Sequence, residues 1–130
     1  MKQIPRISAL LVTGLLASQL GYAADLYPGH IAPRCLEIAS QLKRFADSNQ
    51  GSVCRGDIEI ASAYVEAAGN ELYQEKNELA LRSMTYAQHE LKEITSTRAY
   101  CMRLAPEAKL FLALVITLKS EIEIMGLKAS

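Results

Sequence analysis

The chain has 130 residues, half of them hydrophobic, with 14 basic and 14 acidic side chains and no tryptophan. That length is one domain's worth of protein, and a balanced charge without a basic stripe offers no footing for nucleic-acid phosphates or an anionic membrane surface. Two histidines and three cysteines narrow the chemistry available to the chain from the outset.

Residues 1–23 read as a secretory signal peptide. Lys2 and Arg6 form the positive start, residues 7–16 the apolar stretch, and Gly21 and Ala23 the small residues of a cleavage site. No cysteine stands where a lipid would be attached, so the expectation is an exported product of residues 24–130, periplasmic or secreted. With Lys2 and Arg6 gone, 12 basic residues face 14 acidic ones.

Residues 24–32, with Pro28 and Gly29, read as an irregular leader, and residues 33–130 as a single domain. A first helix is predicted from Pro33 to about residue 47, its buried stripe formed by Cys35, Ile38, Leu42 and Phe45. The polar, glycine-containing run 48–52 ends it. A second helix is predicted to begin at Asp57, whose carboxylate would cap it, and to bury Ala61, Tyr64, Val65, Ala68 and Leu72. Residues 58–94 contain no proline and one glycine, so one unbroken helix is formally possible. The stripe of Ala80, Met84, Ala87, Leu91 and Ile94 is nevertheless displaced from the earlier one by about a quarter turn at ~100° per residue. A break within residues 74–78, with Asn77 capping a third helix, reconciles the two faces.

Residues 95–97 interrupt the third helix weakly, and residues 98–104 either continue it or form a separate turn. The last helix is predicted over residues 106–126, with Pro106 as its first residue and Gly126 as a left-handed terminator. Phe111, Val115, Leu118, Ile122 and Met125 form one stripe, which Leu110, Leu112, Leu114 and Ile116 widen until the first half is apolar all round. Such a helix is expected at the centre of a bundle. It is too short for a membrane: nine uncharged residues separate Lys109 from Lys119, against about 20 needed to span a bilayer. The fold class expected is all-α, a small up-and-down bundle of about four helices.

In such a bundle Cys35 sits at the opening end of the first helix, and Cys54 and Cys101 fall together at the opposite end. A Cys54–Cys101 disulfide is therefore expected, with Cys35 left as a small buried hydrophobe. One long helix over 58–94 would separate Cys54 from Cys101, so the pairing also tests the break. No Cys-x-x-Cys is present for thiol oxidoreductase chemistry.

Gly69, Asn70, Glu71, Leu72 and Tyr73, followed by Ala80, Leu81, Met84 and Ala87, resemble one tetratricopeptide repeat over about 30 residues. A single repeat cannot bury its own faces, and no function follows from it. The run Ser96, Thr97, Arg98, Ala99, Tyr100 resembles the approach to the histidine ligand in exported four-helix haem proteins, but Cys101 stands in the histidine's place. His89, Glu90 and Glu93 lie across one helical turn in a pattern that a solvated face also produces. No catalytic residue, metal site or cofactor is expected.

Tyr64, Tyr73, Tyr86 and Tyr100 offer apolar area and a hydroxyl together, the combination favoured at interfaces, and form the candidate partner surface. The function expected is that of a small, exported, non-enzymatic binding protein, an adaptor, chaperone or inhibitor of another envelope or secreted protein. The alternative is a carrier of an apolar small ligand or haem, with residues 110–116 lining a pocket.

Overall fold

Among the described residues four α-helices alternate up and down, each resting on its neighbour in the chain, and the last returns to the first. The computed structural model describes residues 27–129, with side chains described as far as Gly126; the signal-peptide reading of residues 1–23 lies outside this range. The helices are α1 (Pro28–Asp47), α2 (Arg55–Tyr73), α3 (Asn77–Ser96) and α4 (Ala105–Ala129). A short 3-10 helix, Ala99–Leu104, connects α3 to α4. No strand occurs among the described residues, and no helix among them is long and apolar enough to cross a membrane.

The first helix begins five residues earlier than the sequence suggests, so residues 28–32 are not an irregular leader. Pro28 holds the first-turn position, and Pro33 lies inside the helix, where its missing N–H leaves the carbonyl of Gly29 without the usual intrahelical bond. What draws the extra turn into helical form is burial: Ile31 and Ala32 are both fully enclosed, a gain of the order of 2 kcal/mol for the isoleucine side chain alone. Helix α2 likewise starts before Asp57, which occupies its first turn while Cys54 stands at the capping position.

Helices α1 and α2 meet through small residues. Ala32, Cys35, Ala39 and Ala46 of α1 and Ala61, Ser62, Ala68 and Gly69 of α2 are all buried. The hydroxyl of Ser62 donates to the carbonyl of Ala39 at 2.8 Å, which satisfies the one buried polar side chain in this layer. At Gly69 an added Cβ would stand 2.8 Å from Leu36 Cδ2 and 3.2 Å from the Ala32 carbonyl oxygen. The glycine therefore sets how closely the two helices approach, at a helix-propensity cost of about 1 kcal/mol relative to alanine.

The break between α2 and α3 falls within residues 74–76, as the phase of the two stripes requires. The N–H of Lys76 bonds the Glu71 carbonyl at 2.9 Å and that of Glu75 bonds the Leu72 carbonyl at 3.0 Å, the paired closing bonds of a Schellman turn. Glu75 takes the left-handed conformation, φ 59°, that such a turn demands. Asn77 is the first residue of α3 and makes no side-chain cap, because Lys76 holds the capping position.

Helix α4 is peripheral, contrary to the expectation that it forms the centre. Ala108, Val115, Leu118, Ile122 and Met125 are buried, but Leu110, Leu114, Ile116 and Ile124 are exposed. It packs broadly on α3 and only thinly on α1. Lys119 Nζ donates to Gln88 Oε1 of α3 at 3.2 Å. The α1 seam is held by a Phe45–Phe111 stack with centroids 5.6 Å apart and by an ion pair in which Arg34 Nη1 donates to Glu121 Oε1 at 3.0 Å and stands 2.9 Å from Oε2. Gly126 does not terminate the helix: its φ is not left-handed and the helix continues to Ala129. Ala105 is helical even though Pro106 follows it.

Two glycines in α2 separate packing from propensity. Gly56 meets nothing within 4 Å of an added Cβ, so Gly56→Ala should raise stability in urea unfolding by about 0.5–1 kcal/mol. Gly69→Ala should lower it by about 1 kcal/mol or more, despite the better helix former, because α1 must move away. At the α2–α3 turn, Glu75→Gly should gain about 0.5–1 kcal/mol by removing the left-handed penalty on a Cβ-bearing residue; a thermal melt measures it.

Candidate functional site

The end of the bundle where α1 passes to α2 and α3 passes to α4 carries the densest set of constraints in the molecule. Cys54, at the start of α2, is bonded to Cys101 in the 3-10 helix, with their Cα atoms 5.2 Å apart. The bond spans 47 positions of sequence and encloses both α2 and α3. In the chain-entropy account a loop of that size stabilises by roughly 4 kcal/mol. It forms for the reason anticipated from the topology, since the break after α2 brings the chain back to the same end. Such a bond is compatible with an oxidising compartment.

Beside the cystine lies a cluster of charges. Arg98 sits between Asp57 and Glu90, 3.3 Å from Asp57 Oδ1 and in direct contact with Glu90 Oε1. All three side chains are largely covered, at 25, 19 and 13 % exposure respectively. Asp57 Oδ2 is 3.6 Å from Cys101 Sγ; a half-cystine has no S–H, so this is packing and not a hydrogen bond. The bond to Glu90 is the chief cause that raises the Arg98 pKa still further, so its charge is permanent here. Tyr100 donates to Asp57, and that bond is the main cause raising the phenol above its ordinary value. The cluster ties α2, α3 and the 3-10 helix together through partly buried, charge-assisted contacts.

On this braced backbone stand side chains that face water. Val53 and Met102, each next to a half-cystine, are 81 and 71 % exposed, and Tyr100 is 52 % exposed. Val53, Tyr100, Arg103 and Leu104 line a hollow of about 570 Å³ with the polar loop 48–52. A second depression of about 620 Å³ follows the thin α1–α4 seam; the Phe45–Phe111 stack and Leu110 and Leu114 line it with Gln41, Arg44 and Glu107. It is an open furrow and not an enclosed cavity.

The four tyrosines are distributed over three places. Tyr64 and Tyr86 meet across α2 and α3 with ring centroids 5.3 Å apart. Tyr73 lies nine residues beyond Tyr64, on the opposite side of α2 at ~100° per residue and at the far end of the helix. Tyr100 alone belongs to the cystine end. His89 is exposed, with only a 3.7 Å approach to Glu93, while Glu90 is turned away to Arg98. The one grouping of three potential metal donors among the described residues is Cys54, Asp57 and Cys101, and both sulfurs are already committed to each other.

Cys35 is unpaired, wholly enclosed in α1's packed face, and at the opposite end from the cystine. Burial pushes its thiol up to about 12, against a smaller lowering by Arg34. The surface signals that sequence reasoning missed, Val53 and Met102, flank the two cysteines it paired; adjacency to a predicted cystine was the available clue. Comparison with protein-family models, curated proteins and solved structures returned no match.

The raised thiol has a definite sign. The folded protein keeps its Cys35 proton where the unfolded chain loses it, so this group's contribution to stability is intact below about pH 9 and declines from there towards about 12. The alkaline loss of stability should therefore be smaller in Cys35→Ala than in the parent when urea midpoints are compared across that range. A maleimide should leave the native protein unlabelled at pH 8 and label one thiol after unfolding, as expected near the ordinary thiol pKa of about 8.5.

Proposed function

We propose that the protein is a small exported binding module without catalytic activity, which engages another envelope or secreted protein through the cystine end of its bundle. One observation carries this reading. Val53, Tyr100 and Met102 stand exposed on backbone that is pinned by a disulfide and by the Asp57–Arg98–Glu90 cluster. Free water-facing apolar side chains gain nothing for folding by being held so rigidly. For a partner, the bracing removes ordering entropy in advance, of the order of 0.5–1.5 kcal/mol for each immobilised side chain. Loops fixed by a rigid scaffold are a common location for recognition residues, and a flexible methionine beside a tyrosine suits an apolar anchor with a polar tip.

The periplasm, or the space outside the cell, is the compartment this reading assigns, since the disulfide requires oxidising conditions and residues 1–23 have the pattern of an export signal. The adaptor, chaperone and inhibitor roles share this mode of action and differ only in what the partner does once held.

The test is affinity purification of the tagged, natively exported protein from the envelope fraction after mild cross-linking. A stoichiometric protein partner is expected. Met102→Glu and Val53→Glu should each reduce its recovery at least tenfold while leaving the melting temperature within a degree or two, as befits exposed positions. Tyr73→Ala, at the opposite end, should leave recovery unchanged. Equal recovery by all three variants would remove the cystine end as the contact.

A further inference from the structure

The outer face of α4 is a different surface from the cystine end and poses its own question. It is the helix with the most apolar composition of the four, yet only one side of it is covered. Leu110, Ala113, Thr117, Ser120 and Ile124 recur at steps of three and four along the exposed side, with Leu114 beside them. Leu110 is 66 % exposed, and Leu114, Ile116 and Ile124 are each above 40 %. Leu110 and Ile124 lie together on this side, with Leu114 towards one edge and Ile116 at the other, more than the isolated surface hydrophobics that any protein tolerates.

The charges bordering this face distinguish among its possible occupants. Lys109, Ile116 and Glu123 follow at seven-residue intervals and share one edge of the exposed side. The edge is basic near the start of the helix, apolar in the middle and acidic near the end. Turned end for end, it becomes its own complement. Lys109 then faces Glu123, Ile116 faces Ile116, and the acid and base at the other end make the same pair again. The small residues Ala113, Thr117 and Ser120 fall at the crossing, where two backbones can approach, and Leu110 and Ile124 pack outside them. A parallel arrangement would instead set this edge against the opposite edge of the partner's face and leave Lys109 and Glu123 at different heights, about 21 Å apart along the axis.

We infer that a second copy of this chain covers the face, with the two α4 helices antiparallel about a two-fold axis near residues 116 and 117. Such an interface is isologous and closes on itself, so it yields a dimer and no larger array. Contact through one helix face, about 37 Å long, lies at the small end of stable interfaces, which bury roughly 800 Å² per partner. The dimer accordingly dissociates in the micromolar range.

Sedimentation equilibrium of the oxidised protein tests this directly. The parent should show twice the chain mass at tens of micromolar and fall to the monomer on dilution. Lys109→Glu and Glu123→Lys should each raise the dissociation constant about tenfold, the effect of ~1.4 kcal/mol, because each sets like charges together at both ends. The combined variant should return to within a factor of two or three of the parent. Both positions are exposed, so unchanged melting of the dilute monomers verifies that the variants are folded. A parent that remains monomeric at hundreds of micromolar overturns the inference. So do single variants as dimeric as the parent, or a combined variant no better than either single change. Protection of Leu110 and Ile124 by a different protein or by lipid, with the chain itself monomeric, overturns it as well.

Discussion

The bond between Cys54 and Cys101 holds the start of α2 against the segment that leads from α3 into α4, and the arrangement of the rest follows from that junction. The disulfide closes the open end of the α2–α3 hairpin and the Schellman turn at residues 74–76 closes the other. A contribution of roughly 4 kcal/mol is a large share of the 5–15 kcal/mol by which domains are usually stable. The charges beside it extend the brace sideways. Arg98 leaves the end of α3 and returns to Asp57 in the first turn of α2, so the 3-10 helix cannot swing away from the bundle without exposing a carboxylate pair to loss of its cation.

Packing is uneven across the four helices. Alanines, a serine and Gly69 let α1 and α2 approach closely, and the start of α2 is cross-linked to the 3-10 helix that follows α3. Helix α4 leans on α3 and touches α1 chiefly at two points, the Phe45–Phe111 stack near one end and the Arg34–Glu121 pair near the other. The furrow lies along this weakly joined seam. Local opening draws on the regions with the fewest buried contacts, which places it at the α1–α4 edge, while the cystine end remains closed.

Much of this was legible in the residues, and the failures have specific causes. The phase shift between the Leu72 and Ala80 stripes revealed the α2–α3 break, and the break revealed which cysteines meet. Periodicity was reliable because each of these stripes buries one side. It misled at α4, where Leu110, Leu114 and Ile116 made the helix look surrounded; composition records how apolar a face is, not whether this chain covers it. Pro33 has the mark of a helix start because proline favours that position, but Ile31 and Ala32 bury enough surface to carry the helix through it. Gly126 looked like a terminator and is an ordinary helical residue, whereas Glu75, which carries no such signal, performs the termination of α2. For the candidate site, Tyr100 was legible as an amphipathic side chain. Val53 and Met102 were not, since their exposure depends on how the loop and the 3-10 helix are held.

Cys35 gives the odd cysteine count a kinetic meaning. A chain that emerges N-terminus first presents Cys35 and Cys54 together before Cys101 has appeared, so the earliest pair within reach is a wrong one. The native bond skips the nearest neighbour along the sequence. What withdraws Cys35 from competition is its place on the packed face of α1, where burial holds it as a thiol and shields it from an incoming disulfide. The docking of α1 against α2, whose closeness Gly69 sets, therefore withholds from exchange the one thiol that could compete for the cystine at the other end of the molecule.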